Sequence, residues 1–221
     1  MIKKQKNFHN INTIYELDPN NPAPEVIGMA AGIINSGGVV LVPTRCLYGL
    51  GADAFNVAAV NKIFDIKNRP VDNPILVLVK SKEALDSLAV NIPAYARRIM
   101  DEFWPGNVTI VFQAKNNVPA ELTAGTGKIG VRLPAQPIAR ALVRACSNPI
   151  TGTSANLSGK AGCFRVADLE AEVAKKLDMI IDAGPLKGGV GSTVIDVTHD
   201  PPLILREGEV SARDILKAAA L

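Results

Sequence analysis

Short β-branched runs alternate with longer amphipathic stretches along almost the whole chain, and this interleaving constrains the fold more than any other feature of the sequence. The pattern predicts strands over residues 13–17, 38–43, 74–80, 108–113, 128–133, 149–152, 179–182, 193–197 and 203–206. Between them it predicts helices over residues 22–36, 56–66, 93–103, 137–146, 166–177 and 211–220, with a short one opening at Ser81. Prolines stand at the start of the first helix, where a missing N–H costs little, and Gly37-Gly38 ends it. The run GVVLVP from Gly38 is apolar throughout rather than alternating, as in a strand buried on both faces. Elements interleaved in this way predict an α/β fold: helices packed on a twisted, largely mixed sheet. No repeat or linker divides the 221 residues. One domain is therefore expected over residues 13–208, with a frayed extension over 1–12 and a C-terminal segment, 209–221, whose helix packs on the same domain.

Composition removes several classes of function. Hydrophobic residues make up 48% and charged residues 20%, which excludes disordered and collagen-like chains. The 24 Lys+Arg against 21 Asp+Glu leave a net charge of +3, too small a bias to argue for nucleic acid by itself. No apolar run approaches the roughly 20 residues of a membrane span. Cys46, Cys146 and Cys163 are far apart and form no CxxC pair, so a reducing cytoplasm is the expected compartment. His9 and His199 are the only histidines, too few for a zinc site, and no metal ligands are expected from the chain.

Four segments interrupt the pattern where strands meet loops. PTRCLYGLGADA from Pro43 places a hydroxyl, a thiol and two glycines directly after a buried strand, where open α/β sheets bind ligands. An ordinary turn with Gly49 and Gly51 at positive φ fits the same residues. IKNRPVDNP from Ile66 puts Lys67 and Arg69 at a helix end and follows them with a proline-stiffened loop. Such a loop suits bidentate recognition of phosphate or carboxylate, although cations also favour helix C-termini. PITGTSANLSGKAG from Pro149 crowds Thr151, Thr153, Ser154, Asn156 and Ser158 behind an apolar strand, either as a polar ligand wall or as a Ser/Thr turn and cap. It is neither a Walker loop nor a nucleophile elbow. KGGVGSTVIDV from Lys187 brings glycines up to Ser192, and Arg206 ends an apolar strand and so requires an anionic partner, acid or phosphate.

Taken in order, PTRCLYGLGADA, KNRPVDNP, WPGNVTIVF, IGVRLP, SANLSG and GSTVIDV with ILREG resemble the YrdC-type catalytic domain of the threonylcarbamoyl-AMP synthase family, in its short single-domain form. The family's Lys-x-Arg and Ser-x-Asn tetrad falls on Lys67, Arg69, Ser154 and Asn156. The resemblance implies that L-threonine, bicarbonate and ATP, with Mg²⁺, give threonylcarbamoyl-AMP and diphosphate. A separate transferase complex then uses the product to modify tRNA. By the same resemblance Lys67, Arg69, Ser154 and Asn156 are catalytic, and Arg69, Asn73, Ser154 and Arg206 bind ATP. Thr44, Cys46, Arg132 and Ser192 would hold the amino acid. The residues fit such a reaction, because no nucleophile–base pair is visible and none is required: the carbamate oxygen attacks the α-phosphate while the protein positions and neutralises charge.

Departures from the family pattern fall on the threonine side. Arg45 and Cys46 replace a Glu and a Thr, Leu78 stands where longer members have a His, and Lys128 replaces a Thr. Cys46 and Leu78 are expected to form an apolar wall against the amino acid. Two other readings stay open: a paralogue acting on another carbamoyl-adenylate, as in hydrogenase-maturation carbamoyltransferases, and a module binding tRNA or double-stranded RNA.

Overall fold

A computed structural model of the chain describes residues 3–6 and 13–220. Among them the first half forms β1 (Lys3–Lys6), β2 (Thr13–Glu16), α1 (Pro24–Asn35), β3 (Val40–Pro43), β4 (Tyr48–Gly51), α2 (Val57–Lys67), β5 (Val77–Leu78), β6 (Ala89–Val90), α3 (Ala94–Phe103) and β7 (Val108–Ala114). Then follow α4 (Ala120–Thr123), β8 (Lys128–Arg132), α5 (Pro137–Ala145), β9 (Ile150–Thr151), β10 (Thr153–Ser154), α6 (Ala171–Ala174), β11 (Met179–Asp182), β12 (Thr193–Asp196), β13 (Leu203–Arg206) and α7 (Ala212–Ala220). Asn56 caps α2 as expected, its side chain accepting from the Ala59 N–H at 3.1 Å.

The strands divide between two mixed sheets rather than forming the one sheet the sequence suggests. The first runs β1-β2-β11-β3-β4-β10, with β11 parallel to both β2 and β3. The second runs β13-β12-β7-β8-β5-β9, with β6 paired to β7. Burial explains the uniformly apolar third strand. Val39 and Leu41 pack into the larger core, whereas Val40 and Val42 join α1 and α5 in a second core on the opposite face.

Several expectations need correction. Tyr48–Gly51 is a strand and not a turn: its glycines do not take positive φ but admit close neighbours, a Cβ on Gly49 lying 3.0 Å from the Thr153 carbonyl oxygen. The helix expected over 166–177 breaks into a 3₁₀ turn (Val166–Asp168) and α6, because Leu169 and Glu170 are extended. The Glu170 carboxylate is drawn to Lys160 Nζ at 2.7 Å and to the Leu157 N–H at 3.4 Å. Within the expected N-terminal extension, Lys3–Lys6 pairs antiparallel with β2; residues 1, 2 and 7–12 lie outside the described residues. The C-terminal helix α7 packs against α3, burying Ile215. Among the described residues no helix is long and apolar enough to cross a membrane.

Candidate active site

Strand periodicity builds the site. In β7, β8 and β12, Val108, Ile110, Ile129, Val131 and Ile195 point into the core. The alternating residues Thr109, Val111, Lys128, Gly130, Arg132, Val194 and Asp196 line a cavity of about 540 Å³. Thr44, Cys46 and Tyr48–Gly49 from the β3–β4 region, Arg69 from the loop after α2, and Gly152–Ser154 supply other walls. Ser192, in the loop just before β12, and Arg206 of β13 also line it. Its volume lies within the range of small-molecule sites, and both sheets contribute to it.

Three guanidinium groups converge here, and the carboxylate in the wall, Asp196, is paired with Lys128 rather than with any of them. Arg69 donates from Nε to the Asn73 carbonyl at 3.1 Å and from Nη2 to the Pro74 carbonyl at 2.9 Å, so the proline-kinked loop holds it rigidly. Arg206 donates from Nη2 to the Ser192 carbonyl at 2.8 Å, and the Ser192 hydroxyl is 2.8 Å from that of Thr109. Arg132 is only 6% exposed, donates from Nη1 to Asn107 Oδ1 at 3.0 Å, and leaves Nε buried with no hydrogen-bond partner. Burial pulls its pKa down to about 10, and the neighbouring Arg206 charge pulls in the same direction. None of the three has an ion-pair partner among the described residues. Arg132 is the buried member of the three, and uncompensated buried charge is costly, so its side of the cavity calls for an anion.

The Lys-x-Arg and Ser-x-Asn residues come together, but they divide by role. Arg69 and Ser154 face the cavity, whereas Lys67 and Asn156 stand behind its wall and do not line it. Lys67, 1% exposed at the end of α2, donates from Nζ to the Asn156 carbonyl at 2.8 Å, to Asn156 Oδ1 at 3.3 Å and to the Ser154 carbonyl. Burial, with the nearby Arg69 charge, lowers its pKa to about 8. The Asn156 amide nitrogen donates to the Leu157 and Lys160 carbonyls at 2.8 and 2.7 Å, and its Oδ1 accepts from Ser154 Oγ at 2.5 Å. Lys67 and Asn156 thus hold the loop that presents Ser154.

Other expected residues are also placed. Thr44, Cys46, Arg132 and Ser192 all line the cavity. Asn73 does not; it contributes its carbonyl to Arg69. Leu78 is 1% exposed in the second core, behind Leu76 and Gly152, so it forms no wall against a ligand. Lys128 lines the cavity but is paired with Asp196 at 2.9 Å.

Sequence reasoning missed Asn107, Thr109 and Glu209. The alternation through WPGNVTIVF marks Thr109 as facing opposite to Val108 and Ile110. Nothing local marks Glu209, whose partners Arg45, Asn107 and Lys187 are remote in sequence.

Comparisons with known proteins show the family and the fold. The family model Sua5_yciO_yrdC, described as telomere recombination, matches residues 32–208. The threonylcarbamoyl-AMP synthase of Pyrococcus abyssi is 41% identical over 191 residues, covering 86% of this chain but 56% of that protein. The chain therefore spans little more than half the length of that relative. A putative threonylcarbamoyl-AMP synthase of Methanocaldococcus jannaschii is 34% identical and is matched over 92% of this chain and 95% of its own length. The crystal structure of Pyrococcus abyssi Sua5 complexed with L-threonine superposes with a TM-score of 0.87 at 39% identity, covering 93% of this chain and 60% of that one.

Proposed function

Since the chain belongs to the Sua5/YciO/YrdC family, we propose that it makes threonylcarbamoyl-AMP from L-threonine, bicarbonate and ATP, releasing diphosphate. The observation that carries the reading is the convergence of Arg69, Arg132 and Arg206, unpaired by acids, on one cavity. A triphosphate and a carboxylate supply the missing negative charge. Arg132, which lines the cavity with no acid paired to it, would hold the amino-acid carboxylate near Thr44, Cys46 and Ser192. Arg69, Arg206 and the Ser154 hydroxyl would hold the phosphates.

The chemistry asks for positioning more than for proton transfer. The threonine amine joins bicarbonate with loss of water, and the resulting carbamate oxygen attacks the α-phosphate and displaces diphosphate. Guanidinium groups pre-aimed in a recessed site neutralise the charge that builds on phosphate and diphosphate oxygens. Among the described residues no three His, Cys, Asp or Glu cluster to hold a metal, and Asp196, the acid in the cavity wall, is tied to Lys128. Mg²⁺ would therefore arrive on the triphosphate and supply charge neutralisation there.

We place the reaction in a reducing cytoplasm, in keeping with three buried, unpaired cysteines, and assign its product to a separate transferase acting on tRNA. Diphosphate release measured with ATP and bicarbonate across the amino acids tests the reading. Release that depends on threonine supports it, and release indifferent to the amino acid overturns it.

A further inference from the structure

A carboxylate lies outside the cavity wall, two bonds of a hydrogen-bond chain away from Arg132. Glu209 follows the last strand, and its main-chain N–H donates to the Gly191 carbonyl at 3.1 Å. Gly208 makes that approach feasible, because a Cβ there would sit 2.3 Å from the Gly191 carbonyl oxygen. Once delivered, the carboxylate accepts from Arg45 Nε at 2.7 and 2.9 Å, from Lys187 Nζ, from Asn107 Nδ2 at 2.9 Å and from the Cys46 thiol at 3.6 Å. Asn107 in turn presents Oδ1 to Arg132 Nη1 at 3.0 Å.

The polarity of this chain is forced. A guanidinium only donates and a carboxylate only accepts, whereas an amide does one at each end. With Glu209 ionised, the Asn107 amide has a single orientation that satisfies both neighbours; turned over, it would set donor against donor and acceptor against acceptor. We propose that Glu209, acting through Asn107, fixes the guanidinium of Arg132, so that both are positioning residues for the amino-acid carboxylate. The proposal rests on the reading of Arg132 as the carboxylate anchor. It accounts for why Nη1 of that guanidinium is tied to an amide oxygen rather than to an acid.

A double-mutant cycle on the full chain tests it. Glu209→Gln and Asn107→Leu should each weaken L-threonine binding, measured by calorimetry, by about tenfold, the scale of one charge-assisted hydrogen bond. ATP binding should stay at the wild-type value, and the double variant should bind threonine no worse than either single one, because both changes break the same relay. Additive losses, or equal losses for ATP and threonine, would overturn the proposal in favour of a general structural role. A second measurement needs no substrate. The NMR resonance of the Arg132 Nε–H, assigned by its loss in Arg132→Lys, should move alike in both single variants. An unmoved resonance overturns the relay. A wild-type protein that fails to bind threonine would sink the functional reading instead, and the resonance would still decide the relay.

Discussion

At the scale of single residues, the site is a problem of charge without countercharge. Arg69 is held by two loop carbonyls, not by an acid, so its positive charge remains available to a ligand. Arg69→Ala is expected to weaken ATP binding by about tenfold or more, since a charge-assisted contact is worth roughly 1.5–3 kcal/mol. Threonine binding should change far less, because that ligand is assigned to Arg132. Calorimetry with each substrate separately checks this, and equal losses would contradict the division of the cavity. Arg69 was legible in the sequence because Pro70 and the Asn73-Pro74 pair announce a stiff loop beside it. Leu78 was misread: its chain position suggested a site wall, but the residues that shield it, Leu76 and Gly152, come together only in three dimensions.

At the scale of elements, the loop running from β10 toward Lys160 shows why neighbouring polar residues must be separated by what they touch. Ser154 presents its hydroxyl at the cavity and bonds only within the loop, to Asn156 Oδ1. Asn156 satisfies two backbone carbonyls and helps to anchor Lys67. Ser154→Ala is therefore expected to lose turnover with almost no change in melting temperature. Asn156→Ala should lose turnover and also about 1–3 kcal/mol of stability, the cost of stranding buried polar groups. Melting curves beside turnover assays distinguish the two; a stable Asn156→Ala variant would contradict the anchoring role. The long helices were legible from period and caps. The break between the Val166–Asp168 turn and α6 was not, because a tertiary contact, Glu170 to Lys160, overrides a local pattern that reads as one helix.

At the scale of the whole molecule, two sheets face a shared cavity, and alternation along β7, β8 and β12 divides core from site. That alternation was visible in the sequence, but the division of the strands between two sheets was not, since it depends on pairings such as β11 between β2 and β3, with sequence separations above a hundred residues. Glu209 acts at the same scale, joining the turn after β3, the start of β7, the loop before β12 and the C-terminal segment. Burial alone would raise its pKa, but hydrogen bonds from Lys187, Arg45 and Asn107, with the charge of Arg45, outweigh it and hold the value at about 2; the Cys46 thiol also faces it. A carboxyl depressed on folding contributes stability that is fully present above its unfolded value, near 4.3, and lost as pH falls through the folded one. The melting-temperature advantage of wild type over Glu209→Gln should thus be constant above that pH and close as the pH falls toward about 2. An advantage that persists unchanged in acid would contradict the ionised clamp.

The central claim, that three unpaired guanidinium groups gather a triphosphate and an amino-acid carbamate, is tested most directly by following carbon from bicarbonate. Incubation with ¹³C-bicarbonate, ATP and L-threonine, followed by mass spectrometry, should yield an adenylate that carries both the label and the amino acid, with one diphosphate released per adenylate formed. Diphosphate released without labelled adenylate, or an adenylate lacking the amino acid, would contradict the account.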